Sequence, residues 1–189
     1  MKNRIWIVIL GMLSQVPSQA QWLGGEDPGA SATPGPYACV PAHRDGRNPY
    51  TLALLSGIQT TFIPGTSYQR MEDCTQAMDA VRNTPSNPLL CTSRDRDGRG
   101  PWILGMIQNG RHVRFDRAVS TSLGACIKMS QDLILSEDAK TGIYCSSKNG
   151  SGLGPYSIMG VDLETGQVQI GGSYFSELSK CNRNLGIIQ

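Results

Sequence analysis

The chain has 189 residues, of which 39% are hydrophobic and 17% are charged, and its formal net charge is +2. This length is typical of one globular domain with its own core. Lys2 and Arg4 belong to a predicted export signal, and their removal leaves 15 of the 17 basic residues against 15 acidic ones. The mature protein is therefore neutral, unlike the basic proteins that bind nucleic acids, and no nucleic-acid partner is predicted.

The first 20 residues have the pattern of a secretory signal peptide. Two basic residues precede an apolar run at residues 5–13, and Ser18 and Ala20 are the small residues that a signal peptidase reads. The apolar run is too short to span a bilayer, and no later stretch is apolar enough, so no membrane span is predicted. Residues 21–36 are rich in Gly, Pro, Ala and Ser, which is typical of a flexible leader.

A cysteine-anchored pattern recurs three times in the remaining residues, 37–189. Cys39, Cys91 and Cys145 begin the copies, which start 52 and 54 residues apart. In every copy the first cysteine is followed, at the same spacing each time, by a glycine and then by a proline, and the residue directly after the proline is aromatic. A second cysteine follows the first by 35, 35 and 36 positions. Agreement in order and spacing indicates one unit in three tandem copies, at residues 37–88, 89–142 and 143–189.

The predicted elements are similar in the three copies. Apolar and β-branched runs between Gly, Asn and Asp turns predict strands at residues 51–58, 60–63, 89–92, 102–108, 111–115, 156–161 and 167–170. Capping residues before apolar stripes of helical period predict helices at residues 66–81, 120–133 and 173–183. Each unit is therefore predicted to contain a β-hairpin, a further strand and an amphipathic helix.

Together these elements predict an α+β fold with pseudo-threefold symmetry, in which disulfides hold each unit together. The alternative is a β-trefoil, which also has three units of comparable length. A trefoil has no place for an amphipathic helix that bears a cysteine in every unit, so we favour the repeat of sheet and helix.

Six cysteines in an exported chain predict three disulfides. Two pairings keep the internal symmetry. The first joins the cysteines within each copy, as Cys39–Cys74, Cys91–Cys126 and Cys145–Cys181. The second joins each helix cysteine to the first cysteine of the next copy, which requires a closed ring. We favour the first, because every copy then has its own disulfide. No cysteine is left for catalysis, no Cys-x-x-Cys zinc pattern exists, and no metal or cofactor is predicted.

Three aromatic residues are candidate ligand contacts. Tyr50, Trp102 and Tyr156 follow the repeated proline at equivalent positions. Exposed rings on such a scaffold can stack on sugar rings or anchor a protein partner. The alternative is that they pack in the core, as aromatic residues at repeated positions usually do.

The middle copy also concentrates arginine residues. Arg94, Arg96 and Arg99 lie in its long turn, and three more arginines follow. A local basic face suits an acidic polymer such as an envelope polysaccharide. The alternative is a solvated surface with ion pairs to the neighbouring aspartates.

The sequence contains no recognisable catalytic constellation. His43 and His112 fall at different places in their copies. Repeats build rigid surfaces, whereas catalysis usually needs one asymmetric site. The sequence therefore predicts a non-enzymatic binding protein, secreted or periplasmic, whose ligand is a protein or an envelope glycan. One alternative is a structural component of the envelope or matrix. The other is a hydrolase of envelope polymers, with candidate carboxylates at Glu137, Asp138, Asp162 and Glu164.

Overall fold

The structure, a computed structural model, describes residues 36–43, 46 and 48–186. The predicted signal peptide and almost all of the predicted leader lie outside these residues. The described part is a mixed fold of three small antiparallel sheets and three helices. None of these helices is long and apolar enough to cross a membrane.

Each sheet is followed in the chain by one helix. The first sheet and its helix consist of β1 (Tyr37–Pro41), β2 (Tyr50–Ser56), β3 (Gln59–Phe62) and α1 (Met71–Asp79). The second sheet and its helix consist of β4 (Leu89–Ser93), β5 (Trp102–Gln108), β6 (Arg111–Ser120) and α2 (Leu123–Asp132). The third sheet and its helix consist of β7 (Ile134–Leu135), β8 (Thr141–Ser147), β9 (Tyr156–Asp162), β10 (Val168–Phe175) and α3 (Leu178–Asn184). In the third sheet the spatial order is β10-β9-β8-β7, so β7 is an added edge strand.

Helix α2 begins later than the sequence predicts. Ser120, the predicted cap, still belongs to β6, where it pairs with Trp102 of β5. The cap is Ser122, whose hydroxyl accepts a hydrogen bond from the backbone N–H of Ala125 at 3.2 Å. The predicted cap was wrong by two residues, because ladder pairing extends the strand through a residue that has the composition of a cap.

The starts predicted for α1 and α3 were also too early. The Thr66 hydroxyl donates to the Ile63 carbonyl at 2.9 Å and accepts from the Leu52 N–H at 3.0 Å, so it serves the sheet and not a helix N-terminus. Ser173 lies inside β10, and the N-cap position of α3 is Glu177, whose side chain forms no capping hydrogen bond. Side chains that cap helices can also satisfy strand ends, and the local sequence does not distinguish the two roles.

Three disulfides each join the first long strand of a sheet to the helix that follows that sheet. The bonded pairs are Cys39–Cys74, Cys91–Cys126 and Cys145–Cys181. This is the first of the two pairings considered above. The helix cysteines are completely buried, so each bond holds a helix against its sheet from inside the core. Three disulfides fit a protein of an extracellular or other oxidising environment.

The hydrophobic core is continuous, and the second sheet lies at its centre. Leu52, Leu104 and Met159, from the middle strand of each sheet, are completely buried and belong to one cluster. Strand β5 is buried along almost its whole length, whereas β3 is exposed throughout and β10 at most positions. The outer strands of the first and third sheets therefore present free surfaces.

The central disulfide provides a test of this arrangement. Replacing Cys91 and Cys126 together by alanine should lower the free energy of unfolding by about 4 kcal/mol, since the bond closes a loop of 35 positions in the unfolded chain. Urea denaturation of the oxidised protein measures the loss. The double replacement leaves no unpaired thiol, and an unchanged unfolding free energy would contradict the role given to this bond.

Candidate functional site

The three repeated aromatic residues have different environments. Each begins the second long strand of its sheet directly after a cis proline. Trp102 is 6% exposed and its ring stacks on that of Tyr68, with ring centroids 6.0 Å apart. Tyr50 and Tyr156 are half-buried. The three rings therefore do not form one exposed surface, and their common role in ligand binding stays a prediction. Of the three, Tyr50 lines a surface cleft.

This cleft has a volume of about 330 Å³ and lies between the first sheet and the turn that precedes β5. Its lining includes the aromatic residues Tyr50 and Phe62 and the cationic residue Arg96. The Phe62 side chain is 53% exposed, although it is large and apolar. Pro49 and Pro64 also line the cleft. The walls therefore combine apolar ring surface with one cationic group.

Hydrogen bonds fix the floor of the cleft. The hydroxyls of Thr51 and Thr66 are 2.6 Å apart, and both residues are buried. The Thr51 hydroxyl is also 3.2 Å from the Thr66 carbonyl oxygen. Because these groups already bond to one another, a ligand would contact mainly the rings and the guanidinium group on the walls.

Arg96 belongs to a local concentration of positive charge. Burial of the Arg114 guanidinium lowers its pKa, and the nearby charges of Arg96 and Arg94 lower it further, while Asp95 opposes them. Arg94 forms an ion pair with Asp95 at 3.1 Å and donates to the Gly150 carbonyl at 3.1 Å. Of the arginines predicted as ligand contacts, Arg94 is therefore engaged within the protein, and Arg96 lines the cleft.

The turn that carries Arg96 is shaped by Asp97. The Asp97 carboxylate accepts hydrogen bonds from the Arg99 N–H at 2.8 Å and from the Ser93 hydroxyl at 2.9 Å, and these bonds lower its pKa. The carboxylate therefore acts as a turn former. The Arg99 side chain is exposed and does not line the cleft. Within the described residues, no three side chains from His, Cys, Asp and Glu converge on a possible metal site.

His112 lies in the core of the second sheet. It is 8% exposed, its Nε2 is 3.2 Å from the Leu90 carbonyl oxygen, and burial lowers its pKa to about 4. A neutral, enclosed imidazole supports packing and cannot reach a ligand on the surface. His43 is exposed, on the loop after β1.

Two of the carboxylates considered for hydrolysis have turn-forming roles. Asp138 accepts from the Ser136 hydroxyl and Asp162 from the N–H of Thr165, and these hydrogen bonds lower the pKa of both carboxyls. A general acid in glycoside hydrolysis needs a carboxyl whose pKa is raised. These two side chains are therefore poorly suited to proton donation.

Phe62, the most exposed aromatic residue of the cleft, was not among the ligand contacts predicted from the sequence. It ends β3, where the preceding residues Gln59, Thr60 and Thr61 are polar. An aromatic residue at the end of a polar edge strand was the available signal, but the residue lies outside the repeated landmarks. The sequence also gave no indication that the Arg96 turn lies opposite the first sheet.

A larger and more open groove lies between α1 and α2, with a volume of about 610 Å³. Met71 and Ile127 line it together with Glu72 and Asp79, which gives it an acidic rim. The cleft beside Arg96 contains two of the ligand contacts predicted from the sequence, Tyr50 and Arg96 itself. We therefore take that cleft, defined by Tyr50, Phe62 and Arg96, as the candidate site.

Comparison of the chain with protein-family models, with curated proteins and with solved structures finds no significant match. The site residues are accordingly assigned from their own contacts, burial and charge.

The low pKa of His112 makes stability depend on pH. In the unfolded state His112 has the ordinary histidine pKa of about 6.5, whereas in the folded state its pKa is about 4. Between these two pH values the unfolded state therefore binds a proton that the folded state does not bind. Stability from this group is complete above about pH 6.5 and falls as the pH decreases, by about 2 kcal/mol between pH 7 and pH 5. Urea denaturation at these two pH values should show this loss, and His112→Asn should remove it. His43→Asn, the matched control, should retain it. An equal pH dependence in wild type and His112→Asn would contradict the assignment.

Proposed function

We propose that this chain is an exported protein made of three copies of one disulfide-containing module, and that it binds an anionic glycan of the cell envelope without catalysing a reaction. The three disulfides support an extracellular or periplasmic location. One sheet, one helix and one disulfide in each of the three ranges support the common module.

The binding role is based on the cleft formed by Tyr50, Phe62 and Arg96. Exposed aromatic rings offer flat apolar surface on which sugar rings stack. A guanidinium group donates paired hydrogen bonds to carboxylate, sulfate or phosphate groups. A wall that joins the two chemistries therefore favours a sugar that carries negative charge.

The charge distribution also favours an anionic ligand. The predicted mature protein is neutral overall, whereas Arg96 lines the cleft and lies near a second arginine, Arg114, with Asp95 offsetting part of this positive charge. A local positive field raises the concentration of anions at this surface without attracting them to the whole molecule. The lowered pKa values of Asp138 and Asp162 favour binding over hydrolysis.

Titration calorimetry with a polyuronate and with neutral dextran tests this proposal. The wild-type protein should bind the polyuronate, weakly enough to be released by salt, and should bind dextran at least tenfold more weakly, a difference of about 1.4 kcal/mol. Arg96→Gln and Phe62→Ala should each weaken polyuronate binding by about tenfold or more.

Two control substitutions preserve the cleft. Arg111→Gln removes an exposed arginine at the start of β6, and Leu153→Ala removes a side chain that is 62% exposed in a distant turn. Both should bind the polyuronate as the wild type does. Equal binding of charged and neutral polymers would contradict an anionic ligand, and an equal loss in the controls would show that the cleft is not the site.

A further inference from the structure

The first and second sheets meet at a junction made by the segment that precedes α1, residues 64–69. The Ser67 N–H donates to the Thr92 hydroxyl at 2.8 Å, and the Gln69 N–H donates to the Gly98 carbonyl at 2.7 Å. The approach at Gly98 is very close, because a Cβ there would stand 2.2 Å from the Gln69 nitrogen. This segment therefore lies directly on β4 and on the turn after it.

The second and third sheets meet in a corresponding way, through residues 116–121, which precede α2. The Ser146 hydroxyl of β8 donates to the Arg117 carbonyl at 2.5 Å. A Cβ on Gly152 would stand 2.9 Å from the Thr121 nitrogen. Again the segment before a helix lies on the first long strand of the next sheet and on the glycine turn after that strand.

In the first sheet, Gly46 holds the position that corresponds to Gly98 and Gly152, and no other described residue packs against it. Gly46 has a φ of 75°, close to the 79° of Gly98 and the 78° of Gly152. Whereas a Cβ on either of those glycines would meet the preceding unit, a Cβ on Gly46 would have no heavy atom of the described residues within 4 Å. We call β1 together with Gly46 the head of the molecule.

In the third unit, the segment that corresponds to the two docking segments above is mostly exposed. It comprises residues 171–176, which precede α3 and which we call the tail. Tyr174 is 53% exposed, whereas Ser67 and Val119, which hold the corresponding place in the other two segments, are 6% and 4% exposed. The tail and the head therefore correspond to the two surfaces that contact each other at both internal junctions.

We propose that the tail of one molecule docks on the head of a second copy of this chain, in the same way as the internal junctions. The proposal rests on continuity with those two junctions and on the equivalence of the three units. It shares the three-module arrangement with the proposed function but does not depend on the glycan cleft, so the glycan-binding and self-association experiments can fail separately. Contacts between unlike surfaces of identical molecules extend into longer assemblies unless the rotation closes a ring.

The chemistry of the head makes the contact weaker than the internal ones. Val40 and Pro41 stand where the second sheet has Thr92 and Ser93, so the head lacks the Thr92 hydroxyl and the Ser93 N–H. The internal junctions are also linked covalently, which makes their partner segment effectively concentrated. Association between molecules is therefore reversible and depends on concentration.

Sedimentation velocity of the purified protein over the micromolar to millimolar range tests the proposal. The weight-average mass should rise with concentration from the monomer mass. Gly46→Asn should hold it at the monomer mass, because asparagine tolerates the left-handed backbone and its side chain would collide with an incoming tail. Gly57→Asn, the matched control at a φ of 59° with equally open surroundings, should associate as the wild type does.

A mixing experiment establishes that the two surfaces are unlike. Tyr174→Asp places a charge in the tail that docking would have to bury, so this variant alone should be monomeric. Gly46→Asn has a blocked head and an intact tail, and Tyr174→Asp has the converse. A mixture of the two should therefore form heterodimers and no larger species. Thermal melts of the monomers, unchanged from wild type, show that neither variant is misfolded.

Three outcomes would overturn the proposal. They are a wild-type protein that stays monomeric at every concentration, association that survives Gly46→Asn, and two folded blocked variants that do not pair when mixed.

Discussion

Each helix of this protein is fastened to its sheet by a covalent bond in the core. The helix cysteines at positions 74, 126 and 181 are completely buried, and each is bonded to the first long strand of the sheet before it. The helices have seven to ten residues, and isolated helices of that length are marginal in water. Their stability therefore comes from the disulfide and the packing that it enforces.

Besides the shared hydrophobic core, the sheets meet through close approaches of their backbones. At both junctions a glycine of positive φ lets one chain segment approach another more closely than any side chain would allow. The same close approach brings the turn of Arg96 against the first sheet. A cleft that contains residues of two units, Tyr50 and Phe62 from one and Arg96 from the other, is a consequence of that contact.

Glycan binding and self-association would use different surfaces of one scaffold. The cleft lies beside the first internal junction, whereas the head and the tail lie at the two ends of the described chain. An assembly of this kind would present many copies of the cleft to a polymer, and linked sites bind repetitive ligands more strongly than single sites. Weak individual contacts would then be sufficient to retain the proposed assembly on such a polymer.

The sequence by itself determined the mixed sheet and helix composition, the first residues of the three strands in the second unit, and three disulfides, because turn residues, alternation and cysteine spacing are signals that the sequence carries directly. It misplaced the helix starts at Ser120 and Ser173, since only ladder pairing decides whether such residues cap a helix or extend a strand. Likewise, only the tertiary structure decided that Trp102 is buried, that Phe62 is exposed and that Arg96 faces the first sheet. Burial and proximity between distant segments depend on how the units pack, and no local pattern encodes that packing.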